Sequence, residues 1–133
     1  MSAERRAWSI VTAGLMVCCL LCVPARGQLR PFRSPAGEGS GQPSLAVAPD
    51  GRVFLSWIEP AGDKGHALKF SVLGETSWSA PRTVSEGTGW FINWADFPSL
   101  AVLPDGSLAA HWLARSGPDT YAYDVRIARS FDG

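Results

Sequence analysis

The densest chemistry in this sequence lies in one stretch, Gly89-Trp90-Phe91-Ile92-Asn93-Trp94-Ala95-Asp96-Phe97, where aromatic rings alternate with an amide and a carboxylate. Aromatic faces beside Asn or Asp suit sugars, because the ring takes the C–H side and the polar ends take the hydroxyls. Trp94 and Asp96 are the ligand-binding candidates on that reading. The competing reading is structural, with Trp90, Phe91 and Trp94 packing between sheets and Asp96 capping a turn. Two more carboxylates stand in polar loops, Asp63 in one and Asp119 in another over 115–119, with Arg115 before it and Tyr121 just after it. A loop carboxylate is capable of proton transfer, and it is equally ordinary turn chemistry. His66 has no partner in the sequence, and His111, which stands where a related segment has Ser56, reads as strand packing. No paired His or Cys spacing occurs and the acids are scattered one to a loop, so neither metal nor cofactor is expected.

These residues are positioned by a repeat. Pro43-Ser44-Leu45-Ala46-Val47-Ala48-Pro49-Asp50-Gly51 returns further along the chain as Pro98-Ser99-Leu100-Ala101-Val102-Leu103-Pro104-Asp105-Gly106. Each Pro-Asp-Gly is followed by an apolar run with a Trp at the same offset, Trp57 and Trp112. Pro presets φ for the first turn position, and Asp and Gly tolerate the left-handed conformations of a tight reversal. The first copy predicts strands over 44–48, 52–58 and 66–72, with a weaker fourth over 78–84 whose Pro81 suits a sheet edge. Val53, Leu55 and Trp57 alternate on one face of the second strand. The second copy predicts strands over 97–103, 107–114 and 120–128, and no helical period appears beyond Gly27. Self-similarity of this length on short strands marks an all-β fold, a partial β-propeller of about two four-stranded antiparallel blades with the second incomplete. A closed propeller holds about four to eight blades, so the chain is expected to be a piece of a longer protein. Trp57 and Trp112 are expected in the core.

The segment 1–27 has the form of an export signal: Arg5 and Arg6, an apolar run over 9–23, then Pro24-Ala25-Arg26-Gly27 with small residues before Gln28. The run is short for a membrane span, which takes about 20 residues. All three cysteines, Cys18, Cys19 and Cys22, fall inside it, so membrane attachment would need lipidation there, for which Val17 before Cys18 is a poor context. The segment 28–42 forms a Gly-, Pro- and Ser-rich flexible lead-in, and 43–133 carries the blades. Setting aside Arg5, Arg6, Arg26 and Glu4 leaves nine basic and eleven acidic groups. That balance offers no basic stripe for nucleic acid. The expected location is periplasmic or extracellular.

Ser130-Phe131-Asp132-Gly133 resembles the opening of the Asp-box, Ser-x-Asp-x-Gly-x-Thr-Trp, of sialidase-type (BNR-repeat) β-propellers. A degenerate version, Ser71-Val72-Leu73-Gly74-Glu75-Thr76-Ser77-Trp78, keeps the Ser and the Trp and has Leu73 and Glu75 where the box has Asp and Gly. In that family the box is structural, its polar side chains bonding the turn and its Trp packing between sheets. Ser71, Trp78, Ser130 and Asp132 are the box residues here. The resemblance covers nearly all of 42–133. It implies a parent that is an exo-acting glycoside hydrolase on terminal sialic acid, with Asp119 or Asp63 at the place of the family's acid/base Asp; Arg115 and Tyr121, which flank Asp119, join Trp94 and Asp96 as substrate-binding candidates. The family also grips the substrate carboxylate with three arginines, the first in an Arg-Ile-Pro segment, where this chain has Gly41 and Asp96. That departure favours the alternative of a non-catalytic propeller binding a glycan or a protein.

Overall fold

The computed structural model describes Gly27 and residues 29–131. The chain divides into two compact units, Met1–Pro31 and Phe32–Gly133. Of the first unit only Gly27 and residues 29–31 are described, and they hold neither strand nor helix. The expected export segment with its three cysteines lies outside the described residues except for Gly27, and Asp132 lies outside them too.

The second unit is all-β. Four strands, β1 (Gly41–Val47), β2 (Val53–Ala61), β3 (Gly65–Val72) and β4 (Arg82–Gly87), form one antiparallel sheet in sequential order. Three more, β5 (Ser99–Val102), β6 (Leu108–Arg115) and β7 (Tyr123–Ser130), form a second. The repeat is reproduced in the pairing. Ser44 faces Ser56 and Leu45 faces Leu55, while Ser99 faces His111 and Leu100 faces Ala110, the same register one repeat later. The two Pro-Asp-Gly turns also close alike. The Gly51 N–H donates to the Ala48 carbonyl and that of Gly106 to the Leu103 carbonyl, both at 2.9 Å. Gly51 and Gly106 take φ of 86° and 82°, which an L side chain resists. Asp50 and Asp105 each accept the N–H two residues on, at 3.0 Å, completing the turn chemistry read from the sequence.

The sheets meet through unlike faces. Side chains alternate along a strand, so Phe54 and Ile58 share a face of the first sheet with their neighbours Leu68 and Phe70 on β3. That face packs into one cluster with Leu100, Leu108 and Ala110 of the second sheet, with Trp112 against it. In the repeat, Leu108, Ala110 and Trp112 correspond to Val53, Leu55 and Trp57, which lie on the other face of the first sheet. The first sheet therefore offers its Phe54 face, and the second sheet answers with the counterpart of the opposite face. Each fully buried Leu or Phe in this layer contributes about 1.5–3 kcal/mol.

Three expectations are corrected. The fourth strand runs over Arg82–Gly87 and not over 78–84. Trp78 instead bridges back to Leu73 across the β3–β4 turn, and Pro81, which has no N–H to give a ladder, stays outside the strand. The lead-in does not reach residue 42: Gly41 and Gln42 already belong to β1, where a bulge before Ser44 absorbs the irregular register. Trp57 is buried in the core as expected, at 2 % exposure and outside the inter-sheet cluster, whereas Trp112, also expected in the core, is only half-buried against that cluster. Ser34, Ala36, Gly37 and Ser40 of the lead-in line the same groove as the Trp57 ring, on the first sheet's outer face.

Candidate functional site: the loop end of the two sheets

Strand order brings the chemistry-bearing segments to one end. The start of β1 lies beside the end of β2, Gly41 opposite Ile58, and the β2–β3 loop follows at Ala61 and Gly65. The end of β4 pairs with the start of β3, and the start of β5 lies opposite His111, midway along β6. The lead-in, the loops over 62–64 and 116–122, and the long connection over 88–98 thus share one end of the unit. The Pro-Asp-Gly turns lie together at the other.

The 88–98 connection is built in two parts. Its first part runs along β6: the Phe91 N–H donates to the Leu113 carbonyl at 3.0 Å, and the Arg115 N–H to the Gly89 carbonyl at 2.8 Å. Trp90 enters the core at 8 % exposure and stacks on Trp112 with centroids 5.5 Å apart. Phe91 stacks on Tyr123 at 4.4 Å, and the Arg115 guanidinium lies over the Phe91 ring at 5.3 Å. These residues follow the structural reading. Arg115, expected as a ligand-binding group, is held on an aromatic face.

The second part is a polar turn organised by Asn93. Its Oδ1 accepts the N–H groups of Ala95 and Asp96 at 2.7 and 2.9 Å, and its Nδ2 donates to Asp96 Oδ2 at 3.0 Å. The turn is tied to the first sheet by Gln42, whose Nε2 donates to the Asn93 carbonyl at 2.8 Å. Gln42 sits in the bulge at φ 49°, a conformation rare for a non-glycine residue, and its buried Oε1 has no hydrogen-bond partner among the described residues. Trp94 lies in this turn and is 87 % exposed. The exposed ring and, two residues on, a carboxylate held by Asn93 offer solvent an aromatic face and a hydrogen-bonding oxygen. The capping role expected for Asp96 belongs mainly to Asn93, and Asp96 keeps one carboxylate oxygen free of it.

The other candidates are not gathered here. The loop over 116–122 closes on its own backbone, Ser116 N–H to the Ala122 carbonyl at 3.0 Å and Ala122 N–H to the Asp119 carbonyl at 3.1 Å. Tyr121 is 81 % exposed. Among the described residues no hydrogen bond, ion pair or ring contact joins Asp119 or Tyr121 to Trp94 or Asp96. Asp63 is exposed in the tight hairpin loop between β2 and β3, beside Gly62 at φ 60°. Ser71 is fully buried, and its hydroxyl donates to the Ser79 carbonyl at 3.1 Å, fastening the β3–β4 turn. Trp78 is half-buried in that turn, outside the inter-sheet cluster, and Ser130 ends β7. Among the described residues no three His, Cys, Asp or Glu side chains come together as a metal site.

Reasoning from sequence missed a second polar cluster. Glu59 Oε2 accepts the Trp57 indole N–H at 2.9 Å and the Gly37 N–H at 3.4 Å, and Glu59 Oε1 accepts from Lys69 Nζ. The Lys69 hydrogen bond, followed by the indole, holds the Glu59 carboxyl below its ordinary range. This carboxylate pins the lead-in over Trp57. The signal was present but weak: Trp57 and Glu59 share a face at i and i+2, while Lys69 joins them only through the β2–β3 register.

No family model matches the chain, and no match is found among the curated proteins or the solved structures.

Proposed function

We propose that this chain is an exported, sialidase-like β-propeller segment whose two sheets are successive blades and whose loop end binds a glycan. The observation that carries the ligand reading is Trp94, an exposed indole on a turn pinned by Asn93 and Gln42, with Asp96 beside it. The blade reading is supported by the stacking of unlike faces. Such an interface leaves a complementary face open on each side and closes only by further sheets around a ring. Export is supported by Arg5, Arg6 and the apolar run that follows.

Binding is favoured over hydrolysis. A sialidase mechanism requires arginine forks on the substrate carboxylate and an acid at the leaving oxygen. Gly41 and Asp96 stand at the first arginine's places, Arg115 lies on Phe91, and among the described residues no hydrogen bond or ion pair joins Asp119 to Trp94 or Asp96. The test is titration of the protein with 3′-sialyllactose and with lactose, read by tryptophan fluorescence, alongside turnover of a fluorogenic sialoside. Saturable quenching lost in Trp94→Ala, without turnover, is the expected result. Turnover above blank would restore the hydrolase reading, and quenching unchanged in Trp94→Ala would remove the loop end as the site.

A further inference from the structure

We infer that Gln42 is the positioning residue of the Trp94 turn, and that its strained backbone is the cost of reaching that turn. The turn over 93–97 has few ties of its own. Ile92 before it packs against the core and Pro98 after it is buried, but Trp94, Ala95, Asp96 and Phe97 are all exposed. The bonds from the Asn93 side chain to Ala95 and Asp96 stay inside the turn. Among the described residues, the bond from Gln42 Nε2 to the Asn93 carbonyl, at 2.8 Å, is the one hydrogen bond that joins 93–97 to another element. The accepting oxygen belongs to the planar peptide that links Asn93 to Trp94. Holding that oxygen sets the plane from which Trp94 departs.

The repeat supplies an internal comparison. Gln42 precedes Pro43 as Phe97 precedes Pro98. A residue before proline is driven towards extended backbone. Phe97 is not at positive φ, whereas Gln42 stands at 49°, alone in this among the described non-glycine residues. The strands differ in the same place. β5 begins after its Pro, at Ser99, and pairs with β6 in even register. β1 begins before its Pro, at Gly41, and crosses a bulge before Ser44. The shared Pro-Ser-Leu-Ala-Val segment therefore folds into a strand without the bulge and without the strain. The distortion is confined to the residue that reaches across to the turn. Strain of this kind persists where its surroundings hold it in place, and it gathers at positions that clamp a ligand.

The experiment compares wild type, Gln42→Gly and Gln42→Met by backbone amide order parameters from NMR over 92–98, by thermal unfolding and by titration with 3′-sialyllactose and lactose. Gly accepts positive φ and removes the amide, while Met keeps the length and the strain and removes only the amide. Order parameters at Trp94, Ala95 and Asp96 should be near about 0.85 in the wild type and below about 0.6 in both variants. Gln42→Gly should melt within about 4 °C of the wild type, and above Gln42→Met, because relief of the backbone offsets the lost bond. Affinity for whichever sugar the wild type binds should fall about tenfold or more in both variants. The sugar arm rests on the glycan reading and the order-parameter arm does not. A wild type that binds neither sugar therefore removes that reading, while the order parameters and melting still decide the role of Gln42. Order unchanged in either variant overturns the inference. So does a larger fall in melting for Gln42→Gly, which would make Gln42 an ordinary packing residue, or full sugar affinity in a loosened turn.

Discussion

Replacing Glu59 with Gln removes one charge from the cluster that pins the lead-in while nearly preserving its shape. In the wild type the carboxylate accepts from Lys69, from the buried Trp57 indole and from the Gly37 N–H. Gln keeps an oxygen for the indole and loses the charge facing Lys69. A hydrogen bond to a charged group is worth about 1.5–3 kcal/mol against about 0.5–1.5 for a neutral one. The Lys69 side chain is 27 % exposed, so water partly serves it after the change, and the loss should be about 1.5 kcal/mol. For a unit of this size that lowers Tm by roughly 6–12 °C. The pH dependence has a definite sign. The folded carboxyl titrates below its ordinary value, so its stabilisation is complete above about pH 5 and is lost as pH falls through the folded pKa. Thermal unfolding of both proteins from neutral to acidic pH checks this. Asp50 and Asp105 also titrate low, but they are common to both proteins and cancel in the difference. The gap in Tm should be constant near neutrality and close in acid. Equal stability at neutral pH, or a gap that persists unchanged to about pH 2.5, refutes the reasoning.

Trp57→Ala should cost about 3–5 kcal/mol in denaturant unfolding, as large-to-small changes at buried sites do. Trp94→Ala should cost less than about 0.5 kcal/mol, since its ring touches mainly solvent. Gly65→Ala should be worse than Gly106→Ala. A Cβ at residue 65 would sit 2.3 Å from the Ala61 carbonyl oxygen, whereas one at residue 106 meets open space and is opposed only by its φ of 82°. Costs of about 3 and about 1–2 kcal/mol are expected, and the reverse order would show that the β2–β3 hairpin yields easily.

The turns and register are legible in the sequence because Pro-Asp-Gly dictates a local geometry that tertiary packing has no reason to override. Which face of β2 meets the other sheet is not. Val53, Leu55 and Trp57 alternate with Phe54, Ser56 and Ile58, and both sets are buried or half-buried, so a period of two gives no direction. The sequence places β4 too early because Trp78 promises a strand, while the true strand, Arg-Thr-Val-Ser-Glu-Gly, is a polar edge with almost no apolar signal. The long connection admits both a ligand site and packing, and the structure divides it: Trp90 and Phe91 pack, Trp94 faces solvent. The stacking of Arg115 on Phe91 is not legible in the sequence, because nothing there shows an aromatic ring beneath a guanidinium. Gln42 and Glu59 draw no notice, since each acts through a partner distant in sequence, Asn93 and Lys69.

The central claim is that two copies of one sheet motif stack through unlike faces. Methyl and aromatic nuclear Overhauser effects on selectively labelled protein test it most directly. Contacts are expected from the Phe54 and Phe70 rings to the methyl groups of Leu100 and Leu108, and none from Leu45 or Val47 to those two leucines. Contacts from Leu45 and Val47 to Leu100 and Leu108, with the Phe54 and Phe70 rings silent, would mean that like faces meet, and the stacking account would be wrong.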